Sequence, residues 1–135
     1  MSTHGRPYRR FWGAVCALSG LVCLLIGVWI PLKGWLAQQL LAQAWEDSQR
    51  AHADVRPWPW ADTWPVARLH LPAQGAALTV LSGVAGEDLA FGPGHLPGSA
   101  LPGAAGRSVV AGHRDTHFRI LADLLPGHPV EVESR

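Results

Sequence analysis

Hydrophobic and polar positions change period three times along this chain, and each change marks a boundary. Residues 11–30 (FWGAVCALSGLVCLLIGVWI) are apolar without a single charge. At about 1.5 Å rise per residue that run spans about 30 Å as a helix, the thickness of a bilayer core. After Pro31 a second helical stretch is expected over roughly residues 32–53. There Trp35, Leu36, Leu40, Ala44, Trp45 and Ser48 recur at spacings of one, three or four, and Glu46, Asp47, Gln49 and Arg50 mark a wetter end. Residues 56–65 (RPWPWADTWP) bring three prolines and three tryptophans together, which excludes a regular helix or a central strand. They read as an ordered linker wrapping the domain, with a platform for substrate or partner as the sharper alternative.

From Val66 the pattern changes to strands, with residues alternating in the first and last of four short runs. Residues 66–71 (VARLHL), 77–81 (ALTVL), 108–111 (SVVA) and 130–133 (VEVE) are the expected strands. The stretch 91–103 (FGPGHLPGSALPG) is rich in glycine and proline and reads as loop. Residues 118–125 (FRILADLL) are apolar at helical spacing, and Gly127 ends them. No internal repeat is visible. The last strand pattern stops after Ser134 and Arg135, so the chain reads as a fragment of a longer β domain.

Flanking residues refine the first segment. Arg6, Arg9 and Arg10 precede the apolar run, Lys33 follows it, and Trp12, Trp29 and Trp35 sit near its ends. A cleaved signal peptide has an apolar core of about 7–15 residues and a small-residue cleavage site. The run here is longer, and Ile30-Pro31-Leu32-Lys33 is a poor exit, so an uncleaved single-pass anchor is expected. The arginine excess puts the N-terminus in the cytoplasm and the remainder outside. The net charge of +1 hides an asymmetry: residues 1–33 carry +4, and residues 34–135 carry −3. The outer part has no basic cluster, which excludes a nucleic-acid partner. Cys16 and Cys23 both lie in the apolar run. Seven residues apart on one straight helix is about 10 Å of axial rise, beyond the roughly 7 Å that disulfide Cα atoms tolerate. Thiols in hydrocarbon also stay protonated and inert.

The densest chemistry is at residues 108–118 (SVVAGHRDTHF). A short apolar strand ends in Gly-His, placing the imidazole of His113 at the rim of a site, and imidazole suits proton transfer near neutral pH. His117 lies four residues on, with Asp115 between. On a helix this spacing could hold a metal, but Gly112 at a strand end argues against a helix and no further ligands complete a set, so no metal and no cofactor are expected. Arg114 and Asp115 can pair with each other, for little gain when exposed. His95, in the Gly/Pro loop, is read as turn-stabilising, with groove lining as its alternative.

The loop FGPGHLPGSALPGAAG (91–106) and the run SVVAGHRDTHF together resemble the N-terminal half of a sortase. The tryptophan-rich stretch 57–69 after a membrane helix is similar to the Gram-negative class GN type. The resemblance implies a mainly β fold: a transmembrane helix, a juxtamembrane helix, then the first, incomplete part of a sortase-type β-barrel. The implied layout is a cytoplasmic tail at 1–10, an inner-membrane anchor at 11–30, a juxtamembrane helix at 31–56, a Pro/Trp linker at 57–65, and barrel at 66–135 on the periplasmic side. It also implies a cysteine transpeptidase that cleaves an LPxTG-like sorting signal through an acyl-thioester and passes it to an amine nucleophile. Its partners are a substrate protein bearing that signal, the amine at the envelope, and membrane lipid. The family pattern carries over at His113 as the catalytic histidine. The family's cysteine, in a TLxTC-like strand, and its arginine follow later in the pattern, and this sequence contains neither motif. Arg107, Arg114 and Arg119 stand on the histidine side and are not that arginine. The alternative is a catalytically inactive, truncated sortase-like module that binds peptide or serves a structural role.

Overall fold

The computed structural model describes residues 6–134, so the first half of the expected tail at 1–10 lies outside the described residues. The chain divides into two units, Met1–Leu36 and Ala37–Arg135. Helix α1 (Arg6–Ala51) runs without interruption past Pro31. This corrects the expected break into two helices. A proline removes one backbone donor and crowds the carbonyl four residues back, at a cost of about 3 kcal/mol. The helix continues in spite of it, and transmembrane-type helices tolerate such interruptions. With 46 of the 135 residues in α1 alone, the molecule is mixed α and β rather than mainly β. The apolar part of α1 has a mean hydropathy of 2.4 and none of it is buried within the protein, which suits a membrane anchor or a signal sequence.

In the second unit, the last turns of α1 bury Ala37, Leu41, Ala44, Trp45 and Ser48. Their spacing of four, three, one and three defines one stripe. It agrees with the expected stripe from Ala44 onward. Trp35 and Leu36 lie outside it and are 60% and 49% exposed. The Arg68 guanidinium stands 5.8 Å from the Trp45 ring centre. Gln38 Nε2 donates to the Phe91 carbonyl at 2.7 Å, and the Val55 N–H donates to Ser48 Oγ at 3.2 Å.

Strands β1 (Pro65–Leu71) and β2 (Ala76–Ser82) form an antiparallel hairpin. A 3-10 turn over Pro72–Gln74 joins them, and Gly75 closes it at φ +60, where the missing Cβ avoids the left-handed penalty. Pairing sets Ala67, Leu69 and Leu71 opposite Val80, Leu78 and Ala76 on one face. Ala67, Leu71, Val80 and Leu81 are buried to 2% exposure or less. A bulge between Pro65 and Ala67 shifts the register by one residue. A single turn, α2 (Gly86–Leu89), precedes β3 (Gly94–His95), which runs parallel to β2. β4 (Val110–Ala111) and β5 (Glu131–Ser134) complete a five-stranded sheet in the order β4-β3-β2-β1-β5. Among the described residues this is a sheet with β4 and β5 at its ends, not a closed barrel.

The expected strands all form, with boundaries moved by one or two residues. β3 was unexpected because glycine and proline surround it. Residues 118–125 were expected as a helix and form only a 3-10 segment, Arg119–Asp123. The Pro/Trp segment is anchored by Thr63 Oγ1 donating to the Ser82 carbonyl at 2.6 Å and by the Trp58 ring edge-on to Phe91 at 5.2 Å. Trp60 stays 80% exposed.

Truncating the buried indole of Trp45 leaves a cavity under β1, so Trp45→Ala is expected to cost about 3–5 kcal/mol. Denaturant unfolding followed by amide exchange on β1 reads this loss. Asp88, in α2, has its carboxyl raised above the ordinary range by burial and by Glu87 beside it, opposed by the Ala85 backbone N–H. A raised folded-state value means stability that is present in acid and lost as pH rises through it. Asp88→Asn keeps an acceptor for that N–H and cannot ionise. The variant is therefore expected to gain stability relative to the parent at neutral pH and to match it in acid, as thermal unfolding across pH will show.

Candidate functional site

His113 follows β4 by two residues and is exposed. The turn that carries it is built by backbone and one ring. Its own carbonyl accepts the N–H groups of Thr116 at 3.3 Å and Phe118 at 3.1 Å, which folds residues 113–118 into a tight loop. The chain closes because Gly112 has no side chain: a Cβ there would lie 2.9 Å from the Phe118 ring. The glycine of Gly-His is thus a seat for Phe118, and the seated ring fixes how the strand end presents the imidazole. Sequence reasoning named the Gly-His pair and passed over Phe118, although an aromatic residue six positions after a glycine at a strand end is the signal that was available.

The neighbours of His113 take separate places. His117 directs Nε2 to the Ala90 carbonyl at 3.4 Å, and residues 114–118 form a turn rather than a helix. Arg114 and Asp115 pair at 3.1 Å with side chains 90% and 83% exposed, a contact that solvent screens almost completely. Gly112 and Arg114, on either side of His113, line an open groove of about 520 Å³ whose floor includes Phe118, Leu121 and Ala122.

β3 supports β4 from behind. Gly94 pairs with Ala111, and His95 with Val110. On the other side the Leu81 N–H donates to the Pro93 carbonyl at 2.8 Å, and the Gly83 N–H to the His95 carbonyl at 3.1 Å. Gly94 lies so close to the Gly83 carbonyl that no Cβ fits between them. His95 is 7% exposed and bonds through Nε2 to Ser99 Oγ and to the Ala100 carbonyl, each at 2.9 Å. This is the turn-stabilising arrangement expected of it.

Arg107, Arg114 and Arg119 are all exposed, and Cys16 and Cys23, the two cysteines of this sequence, both lie in α1. A histidine at a strand end, held by its backbone and open to solvent, can accept or donate a proton at a bound substrate. It needs a nucleophile from elsewhere to do covalent chemistry.

Comparison with known proteins agrees with this layout. The sortase domain family matches residues 69–135. Sortase D of Bacillus subtilis (strain 168) is 39% identical over 64 residues, which make up 47% of this chain and 32% of that protein. A sortase D5 transpeptidase of Clostridium perfringens superposes with a TM-score of 0.56 at 19% identity, over 73% of this chain and 66% of that one. A lid mutant of sortase A from Corynebacterium diphtheriae gives a TM-score of 0.50 at 22% identity, covering 75% and 62%. At those identities the two structures speak for a shared fold. The chain spans about a third of the length of the curated relative it matches. Residues 69–135 therefore match the sortase domain, and the sheet that leads to His113 shares its fold with solved sortase structures.

The seat at Gly112 gives a direct prediction. Gly112→Ala drives a methyl group into the Phe118 ring and is expected to cost about 1–3 kcal/mol. The loss should shrink in a Phe118→Ala background, since the ring is what the methyl meets. A double-mutant cycle by denaturant unfolding measures the coupling.

Proposed function

We propose that this chain carries the anchor and the histidine-bearing part of a sortase-type cysteine transpeptidase held at the outer face of a membrane. The single observation that supports this best is His113 on its Gly112–Phe118 turn at the end of β4, inside the stretch related to the sortase domain. In this reading a thiolate attacks the carbonyl carbon of the scissile peptide in an LPxTG-like sorting signal. His113, protonated, gives its proton to the departing amine nitrogen as the C–N bond breaks, leaving an acyl-thioester. The incoming amine then attacks the thioester carbonyl, its proton passes to His113, and the thiolate is released. The imidazole is suited to both transfers because it takes and returns a proton near neutral pH.

Within that scheme this sequence supplies the histidine alone. Neither Cys16 nor Cys23 suits the role of thiol, since both sit on the exposed apolar surface of α1, in the stretch proposed to lie in hydrocarbon. The proposed topology has the arginines before the apolar stretch in the cytoplasm and the second unit on the periplasmic side. The class GN assignment rests on the Pro/Trp segment at 57–69, and the proposed substrates are proteins bearing a sorting signal.

In the intact gene product, His113→Ala is expected to lower amine-dependent turnover of a fluorogenic sorting peptide by about 10²–10⁴-fold, the usual contribution of a positioned acid-base group. Peptide affinity should stay unchanged. Turnover within about twofold of the parent would exclude the assignment.

A further inference from the structure

β4 is only two residues long, and it positions a histidine three residues beyond Val110, about 10 Å of extended chain. What holds so short a strand in place matters to that histidine. Residues 96–109 leave β3 and return to β4. Backbone bonds tie the two limbs together from the Leu96 N–H to the Val109 carbonyl at 2.8 Å and from the Ala100 N–H to the Arg107 carbonyl at 3.0 Å. A side-chain node joins them as well. Ser99 Oγ accepts the Val109 N–H at 3.1 Å and donates its own hydrogen to the Leu96 carbonyl at 2.8 Å. His95 Nε2 meets both Ser99 Oγ and the Ala100 carbonyl at 2.9 Å.

The proton positions follow from the acceptors. The Ala100 carbonyl can only accept, so Nε2 of His95 carries hydrogen. The Ser99 hydroxyl hydrogen is directed to Leu96, so Oγ faces His95 as an acceptor. A buried Ser-His pair invites reading as a nucleophile and its base, but here the imidazole nitrogen donates and the serine proton points away. The node is a clamp, and it has no reacting pair. His95 is buried and Ser99 and Val109 are half-buried, so most of the node is shielded from competing water.

We propose that His95 and Ser99 are positioning residues for His113: they lock the 96–109 excursion at Val109, the residue that leads into β4, and thereby fix where the imidazole stands. This rests on the reading of His113 as the acid-base group. A small displacement at a proton-transfer site costs far more in rate than in binding, up to about 10²-fold for about 1 Å.

The test is steady-state kinetics of the intact gene product with a sorting peptide and an amine acceptor. Ser99→Ala and His95→Ala are expected to lower kcat by about 10–10²-fold with KM within about twofold. His95→Gln, whose amide donor falls near the Nε2 position, and Ser99→Thr, which keeps the hydroxyl, should restore most of it. If His95→Ala does not fold, Ser99→Ala, which removes one oxygen, carries the test. In a His113→Ala background, Ser99→Ala is expected to have no further effect on kcat. An equal factor in both backgrounds would show that the clamp acts independently of His113 and would overturn the proposal, as would an unchanged kcat in either single variant. A harmless His113→Ala would instead remove the acid-base reading, and the positioning role with it.

Discussion

Gly94 rests against the carbonyl of Gly83 with no room for a side chain between them, and this close backbone approach is what lets β3 run parallel beside β2. Most parallel pairs are longer and flanked by helices. This one has two residues and succeeds because two glycines meet and because Pro93 and His95 lend their carbonyls to β2 and the turn after it. β3 then serves as the template for β4, and β4 leads to His113. Any residue larger than glycine at position 94 would push β3 off the hairpin and remove the support for everything after it.

The same device recurs at the other end of β4. Gly112 leaves a bare face that the Phe118 ring covers, and the loop closes over the His113 carbonyl. Between these two contacts the histidine's position is defined by backbone geometry rather than by side-chain partners of its own. That suits the proposed acid-base role: the imidazole stays exposed while the backbone on both sides of it is held. The third fixed point, the His95 and Ser99 node, uses buried hydrogen bonds where the other two use absent side chains.

Much of this was legible in residues. Period-two alternation located β1 and β5, and short apolar runs located β2 and β4; of these, β1 and β2 hold buried side chains, and β5 is exposed throughout. The apolar run in α1 was legible from length and charge alone. The Gly-His pair marked the end of β4, where the acid-base group is proposed. Among the features that were not legible, three have a plain physical reason. Pro31 signals a helix end locally, yet α1 continues through it, as helices of the transmembrane type can. The buried stripe of α1 begins at Ala37 rather than Trp35, since Trp35 and Leu36 belong to the first unit and stay exposed. β3 hides in a glycine- and proline-rich loop because its glycine is there for close approach, which a pattern of side chains cannot reveal. The sheet itself remains open among the described residues, where the resemblance had implied the first, incomplete part of a barrel.

The central claim is that the fold delivers His113 to the scissile bond of a sorting signal. A structure of the intact gene product with an LPxTG-like peptide bound tests it most directly. The account predicts an imidazole nitrogen of His113 within about 3.2 Å of the scissile amide nitrogen, or one water away from it. A peptide seated with that nitrogen out of reach of His113 by more than a single bridging water would contradict it.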